Sequence, residues 1–266
     1  MPESVTAPNT STALQPLVAA GRIPQRRVWA MLALRSVLSF ALLLALAAAF
    51  SLAGRPDAVT ASAAWWLYFA TVANIVCLVL MRRFARHEGL RLRDVFFVDK
   101  STWKGDLLWA FIFMLGTAVF AMLPGTYLAA VLWGDAAYPE AMLFQALPLV
   151  AVYPLFVLMP VTQALAELPI YWGYVAPRLQ AWGMKRWVTI AVVGSTLSLQ
   201  HMFFAFQLDW RYNLWLAVKF LPFALWTGFV VDRRPTALPY LMGFHFLIDA
   251  TLPVLQLLVS MNIPLR

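Results

Sequence analysis

Long apolar runs separated by short polar or charged segments set the pattern of this chain. They cover residues 28–52, 63–81, 107–133, 141–165, 188–206, 214–231 and 238–261. A helix that crosses a bilayer needs about 20 mostly apolar residues, and these runs meet that length. The pattern predicts an all-α fold, a polytopic transmembrane helical bundle of about seven spans (range about 6–8). A second helical piece over 168–181 follows the fourth run, and one span plus a re-entrant piece is the alternative reading of 141–187. Gly116, Pro124 and Gly125 are expected to kink or break the third run.

Three regions follow from this pattern. Residues 1–27 are polar and read as a disordered cytoplasmic tail ending in Arg22, Arg26 and Arg27. Residues 28–106 hold two amino-terminal spans and a basic segment. Residues 107–266 form the helical membrane core. In the basic segment, 82–106, arginines alternate with Leu, Val and Phe, which suits an amphipathic helix lying on an anionic membrane surface. His87 sits among those arginines and is expected to be solvated. Arg35, two turns inside the first span, is expected to snorkel to the near interface, and Lys219 in the sixth span likewise.

Composition agrees with the pattern. Of 266 residues, 62% are hydrophobic and 12% charged, against about 45–50% and about 25% in soluble domains. The net charge of +8 does not point to nucleic acid, because the basic residues lie in short loops between spans. Arg82, Arg83, Arg86, Arg91, Arg93, Lys100 and Lys104 fall in one segment, whereas the loops of opposite parity hold only Arg55, Arg211 and Arg266. That asymmetry predicts a cytoplasmic amino terminus. The single cysteine, Cys77, lies inside an apolar run and excludes an intrachain disulfide framework.

The candidate chemistry lies in the apolar runs. Glu167 stands alone in a long apolar region, and a carboxylate at that depth requires a partner. His201, His245 and Asp249 are the candidates. His245 and Asp249 are four residues apart, hence on one helical face. Two kinds of chemistry fit this set. Glu167, His201, His245 and Asp249 could hold a divalent metal such as zinc that acidifies a water. Alternatively, Glu167 is itself the general base, and the histidines orient water and stabilise an oxyanion. Pro169 removes one helical hydrogen bond beside Glu167, and Gly173 permits close approach by a neighbouring helix. A structural clamp, a proton carrier, or haem ligation by His201 and His245 are competing uses of the same side chains.

The order of these residues on successive apolar runs resembles the CPBP family of intramembrane proteases, which includes CAAX prenyl endopeptidases and bacteriocin-processing or immunity proteins. The resemblance covers roughly 140–260. The family's EExxxR motif aligns with Glu167-Leu168-Pro169-Ile170-Tyr171-Trp172, so Leu168 and Trp172 replace the second Glu and the Arg. Its FxxxH motif aligns with Leu197 to His201, and its HxxxN/D motif with His245 to Asp249. The resemblance implies a membrane-embedded endopeptidase in which Glu167, assisted by His201, activates water while His245 and Asp249 stabilise the oxyanion. The implied substrate is a membrane-tethered or membrane-inserted peptide or protein, with membrane lipids as surroundings. The implied location is a bacterial inner (plasma) membrane. The replaced motif residues make a non-catalytic binding, scaffold or immunity-type relative the alternative.

Overall fold

The computed structural model describes residues 8–263. Among these residues the chain is helical throughout, without strands. In order, the helices are α1 (Ser11–Ala19), α2 (Gln25–Leu52), α3 (Ala58–Ala63), α4 (Trp66–Glu88), α5 (Leu92–Val95), α6 (Trp103–Trp133), α7 (Tyr138–Leu143), α8 (Leu149–Val152) and α9 (Leu155–Leu168). A π-helical segment (Pro169–Val175) leads into α10 (Ala176–Ala181). There follow α11 (Arg186–Phe204), α12 (Trp210–Val218), α13 (Leu221–Arg233), α14 (Leu238–Asp249) and α15 (Thr251–Ser260). Seven helical stretches are long and apolar enough to cross a bilayer: α2, α4, α6, Leu149–Ala181, α11, Trp210–Arg233 and Pro235–Ser260. The protein is an integral membrane protein with an all-α polytopic fold.

Each span packs against two others in a closed circuit: α2 on α4, α4 on α9, α9 on α14, α14 on α6, α6 on α13, α13 on α11, and α11 back on α2. The inward stripe of α2 shows how sequence dictates this. Val28, Leu32, Arg35, Ser39, Leu43 and Ala47 are buried at helical spacing and line the face turned to the other spans. Arg35 belongs to that stripe, which decides its direction. Conversely, α6 buries only a narrow line that includes Ala110, Phe113, Thr117, Gly125 and Ala129. Its remaining apolar face is exposed, as a helix solvated by lipid should be.

The fold departs from the expected organisation in four places. Within the expected tail, Ser11–Ala19 is a helix capped by the Thr10 side chain, with Leu14 fully buried; residues 1–7 lie outside the described residues. No single amphipathic helix covers 82–106. Instead α4 continues through the arginines to Glu88, ends at Gly89 in the left-handed region (φ 82°), and is followed by short α5. His87 is exposed there, whereas Glu88 is buried and takes part in packing. The third span runs through Gly116, Pro124 and Gly125 as one helix. Trp226 packs at Gly116, and the Trp215 indole donates to the Gly125 carbonyl at 2.9 Å. Finally, 168–181 is no separate piece: it continues the fourth span, and Pro169, which cannot donate to Leu165, opens the wider π turns.

Glu88 pairs with Arg178 where α4, α10 and α1 meet, and both side chains are fully buried. Tyr174 donates to Glu88 at 2.8 Å. Arg178 also donates to Asn9 Oδ1 at 3.1 Å, while the Asn9 amide donates to the Gly173 carbonyl. Gly173 has no side chain to keep Val95 and Leu238 away, so the approach expected at this position occurs. Removing one partner of a buried pair leaves an uncompensated charge, at about 3–5 kcal/mol. Arg178→Met should therefore lower the thermal unfolding midpoint of the detergent-solubilised protein by roughly 10 °C, at about 2–4 °C per kcal/mol for chains of this size. A melting scan beside Arg86→Met, an exposed arginine on the helix of Glu88 that makes no bond to it, checks this.

Candidate functional site

Glu167 lies two residues before the π-helical segment and is 2% exposed. Four side chains from four other positions in the bundle converge on its carboxylate. On Oε1, Arg35 Nη1 donates from α2 at 3.0 Å and the Gln200 amide donates from α11. On Oε2, Gln163 donates from one turn earlier on α9 at 2.8 Å, and His245 Nε2 from α14 at 2.7 Å. An ionised carboxylate offers about four lone-pair sites, and all four are used.

The network extends one step further. Arg35 also donates to the Gln200 amide oxygen at 2.8 Å and, through Nη2, to the Gln163 amide oxygen at 2.9 Å. Asn74 on α4 donates to the same Gln163 oxygen at 2.8 Å, and the Tyr171 hydroxyl to the Gln200 oxygen at 2.9 Å. A guanidinium only donates and a carboxylate only accepts. Both glutamines therefore turn their oxygens to Arg35 and their amide nitrogens to Glu167. Five of the seven spans (α2, α4, the fourth, α11 and the seventh) contribute to one buried polar cluster.

Asp249 lies with its Oδ2 3.3 Å from His245 Nε2, on the same face one turn along. The Nε2 proton is already committed to Glu167, so Asp249 makes an electrostatic contact there and no hydrogen bond. His245 Nδ1 and Asp249 Oδ2 are buried without a hydrogen-bond partner. Arg35 Nε and Asn74 Oδ1 in the same cluster are likewise buried and unpaired, so all four atoms have capacity to bind something else, since buried polar atoms are ordinarily paired.

Of the four residues singled out by sequence, Glu167, His245 and Asp249 come together. His201 does not hydrogen-bond to them. Its Nδ1 lies 3.1 Å from the Ser198 carbonyl, and its ring packs on Phe220 at a centroid separation of 4.2 Å. Its neighbour in sequence, Gln200, holds Glu167 instead. Among the described residues, no group of three or more His, Cys, Asp or Glu has the geometry to hold a metal ion. The Arg35 charge on Glu167 also works against a divalent cation there, so the residues present do not fit a zinc site.

Arg35, Gln163, Gln200 and Asn74 were not among the sequence-derived candidates. Arg35 is fully buried and does not snorkel. Its guanidinium reaches the cluster from the first span, where the aligned motif position, Trp172, provides none. The available signal was the general one, that a polar side chain within an apolar span must have a partner. Gln163 also sits four residues before Glu167, on the same face. Lys219, likewise expected to snorkel, is 5% exposed and donates to Glu140 at 2.8 Å from beside the Trp215 ring. Compared with protein-family models, curated proteins and solved structures, the chain matches none.

Breaking the cluster at Arg35 should be costly and partly reversible. Arg35→Met strands the Glu167 carboxylate and should cost about 3–5 kcal/mol. Adding Glu167→Met, which removes the other charge, should recover part of the lost thermal midpoint. Equal midpoints for the wild type and Arg35→Met would show that the pair contributes nothing to stability.

Proposed function

We propose that this chain is a membrane-embedded endopeptidase of the CPBP type, acting on a membrane-tethered or membrane-inserted protein. The observation that supports this reading is the Glu167–His245 contact of 2.7 Å between two spans, with Asp249 behind the imidazole. A carboxylate and an imidazole within hydrogen-bond distance can move a proton at neutral pH. In the proposed reaction, water replaces one amide donor on Glu167. Gln163 is the better candidate, because its bond to Oε2 lies beside His245. Glu167 takes a proton from that water as its oxygen attacks the peptide carbonyl. The C–N bond then breaks, and the proton passes to the leaving amine. His245, as an imidazolium, donates from its unpartnered Nδ1 to the substrate carbonyl, and the unpartnered Asp249 Oδ2 accepts from the leaving amine. No step is assigned to His201, although the family resemblance would give it one.

A second reading has its own supporting observation. With four donors on Glu167, the carboxylate is fully satisfied without substrate, which suits a non-catalytic relative that binds a membrane partner. Glu167→Gln separates the two. Comparison of protein N-termini in cells expressing wild type or Glu167→Gln at equal levels should show products that fall by on the order of 10²–10⁴-fold in the variant, the usual contribution of a general base. An unchanged profile from a folded, inserted variant would favour the binding reading.

We also propose that the ends of the spans near Gly89 and Arg234 face the cytoplasm of a bacterial inner membrane. The concentration of basic residues there supports this orientation. A reporter active only in the cytoplasm should report when fused after Gly89 and stay silent after Gly134. The opposite pattern would invert the orientation.

A further inference from the structure

Five exposed arginines gather at one end of the bundle, where the start of α2 lies beside the end of α4. The two helices are successive spans, so they run antiparallel and bring Arg22 and Arg26 to the level of Arg82, Arg83 and Arg86. Two contacts fix this junction. Arg22 Nη2 donates to the His87 carbonyl at 3.3 Å, and the Arg27 guanidinium lies 4.7 Å from the centroid of the Phe84 ring. Among the described residues, none of the five exposed arginines forms an ion pair. The acidic side chains nearest in sequence are already engaged. Glu88 is held by Arg178 and Tyr174, and Asp94 accepts from the Arg91 backbone N–H. Repulsion among unpaired like charges is relieved by an anion bound between them.

The outward faces of the two helices show what kind of anion fits. On α4, Val72, Ile75 and Val79 are exposed at helical spacing. The same spacing continues to Arg82 and Arg86. On α2, the exposed residues Val37, Ala33 and Ala30 follow the same rule and end at Arg26. Each stripe thus runs from apolar side chains in the hydrocarbon to arginine at its edge. Trp29, 40% exposed and three residues from Arg26, marks that edge, because indoles favour the headgroup level. Val79 and Arg82 are about 4.5 Å apart along the helix axis. A molecule that covers both carries its apolar chain and its anion close together. A soluble acidic protein or a nucleic acid would meet the arginines and leave the stripes uncovered. A phospholipid covers both, and guanidinium groups match phosphate oxygens two at a time.

We infer that the junction of α2 and α4 binds an anionic phospholipid, its phosphate held by Arg26, Arg82 and Arg86 and its acyl chains lying along the exposed stripes of the two helices. Such a site is independent of the endopeptidase chemistry. It differs from the general attraction of basic loops to an anionic leaflet in placing the lipid on one pair of spans.

The test is native mass spectrometry of the purified protein in neutral detergent, titrated with phosphatidylglycerol or with phosphatidylcholine of the same chains. The wild type should retain phosphatidylglycerol in preference. In Arg82→Gln/Arg83→Gln/Arg86→Gln the half-saturating concentration should rise on the order of 10²-fold, at about 1 kcal/mol per arginine and about 1.4 kcal/mol per tenfold. Lys100→Gln/Lys104→Gln/Arg233→Gln removes as many exposed charges across the circuit of spans, at α6 and α13, and should bind as the wild type does. If the triple variant in α4 does not elute as folded protein, Arg82→Gln/Arg86→Gln replaces it, with a rise of about 25-fold on the same scale. A similar rise in the α4 variant and in the α6 and α13 variant would overturn the assignment, as would equal retention of the two lipids. Complete displacement of phosphatidylglycerol by excess inorganic phosphate would show a site for free anions and overturn the lipid as its occupant.

Discussion

A carboxylate inside a bilayer must be satisfied by protein, and this requirement at Glu167 organises the bundle. Neither lipid nor bulk water can solvate the charge, so the donors have to come from neighbouring spans. Here they come from α2, α11 and α14, with Gln163 added from α9 itself. Helix association in membranes gains little from burying apolar surface, because lipid tails are equally apolar. A shared polar cluster gives the spans a reason to pack in one arrangement rather than many.

The π-helical segment links this cluster to the end of the bundle. Pro169 cannot supply its backbone proton, and the chain continues in wider turns instead of breaking. Those turns bring Tyr171 to Gln200, Trp172 to Gly228, and Tyr174 to the buried Glu88–Arg178 pair. Asn9 closes the segment by bonding both Gly173 and Arg178. The amino-terminal helix is therefore part of the packed structure, tied to the same helical run that carries Glu167.

Much of this was legible in the sequence. Hydrophobic run length predicted seven spans. The cost of burying Glu167, together with the i,i+4 relation of His245 and Asp249, picked out three residues that meet. Other features were not legible, for specific reasons. A lone arginine two turns into a span is equally compatible with snorkelling and with burial. Only the packing stripe of α2, set by which neighbours α2 meets, turns Arg35 inward. His201 and Gln200 are adjacent, and a rotation of about 100° decides which faces Glu167. The sequence alone favoured the histidine as the more reactive group, whereas the structure presents the amide. The arginine cluster at 82–93 looked like a surface helix because periodicity does not reveal where a long helix ends. Glu88, hidden among those charges, drew no expectation of its own, yet it is buried against Arg178.

The fixed orientation of the two glutamine amides gives the cluster a sense of direction. Protons point from Arg35 to the amide oxygens, and from the amide nitrogens to Glu167. Turning over either amide alone would set an N–H against the guanidinium and a carbonyl against the carboxylate, two repulsive contacts at once. The circuit thus behaves as a single unit rather than as separable bonds. A charge change at Glu167 would reach the first span through Arg35 without any intervening backbone movement.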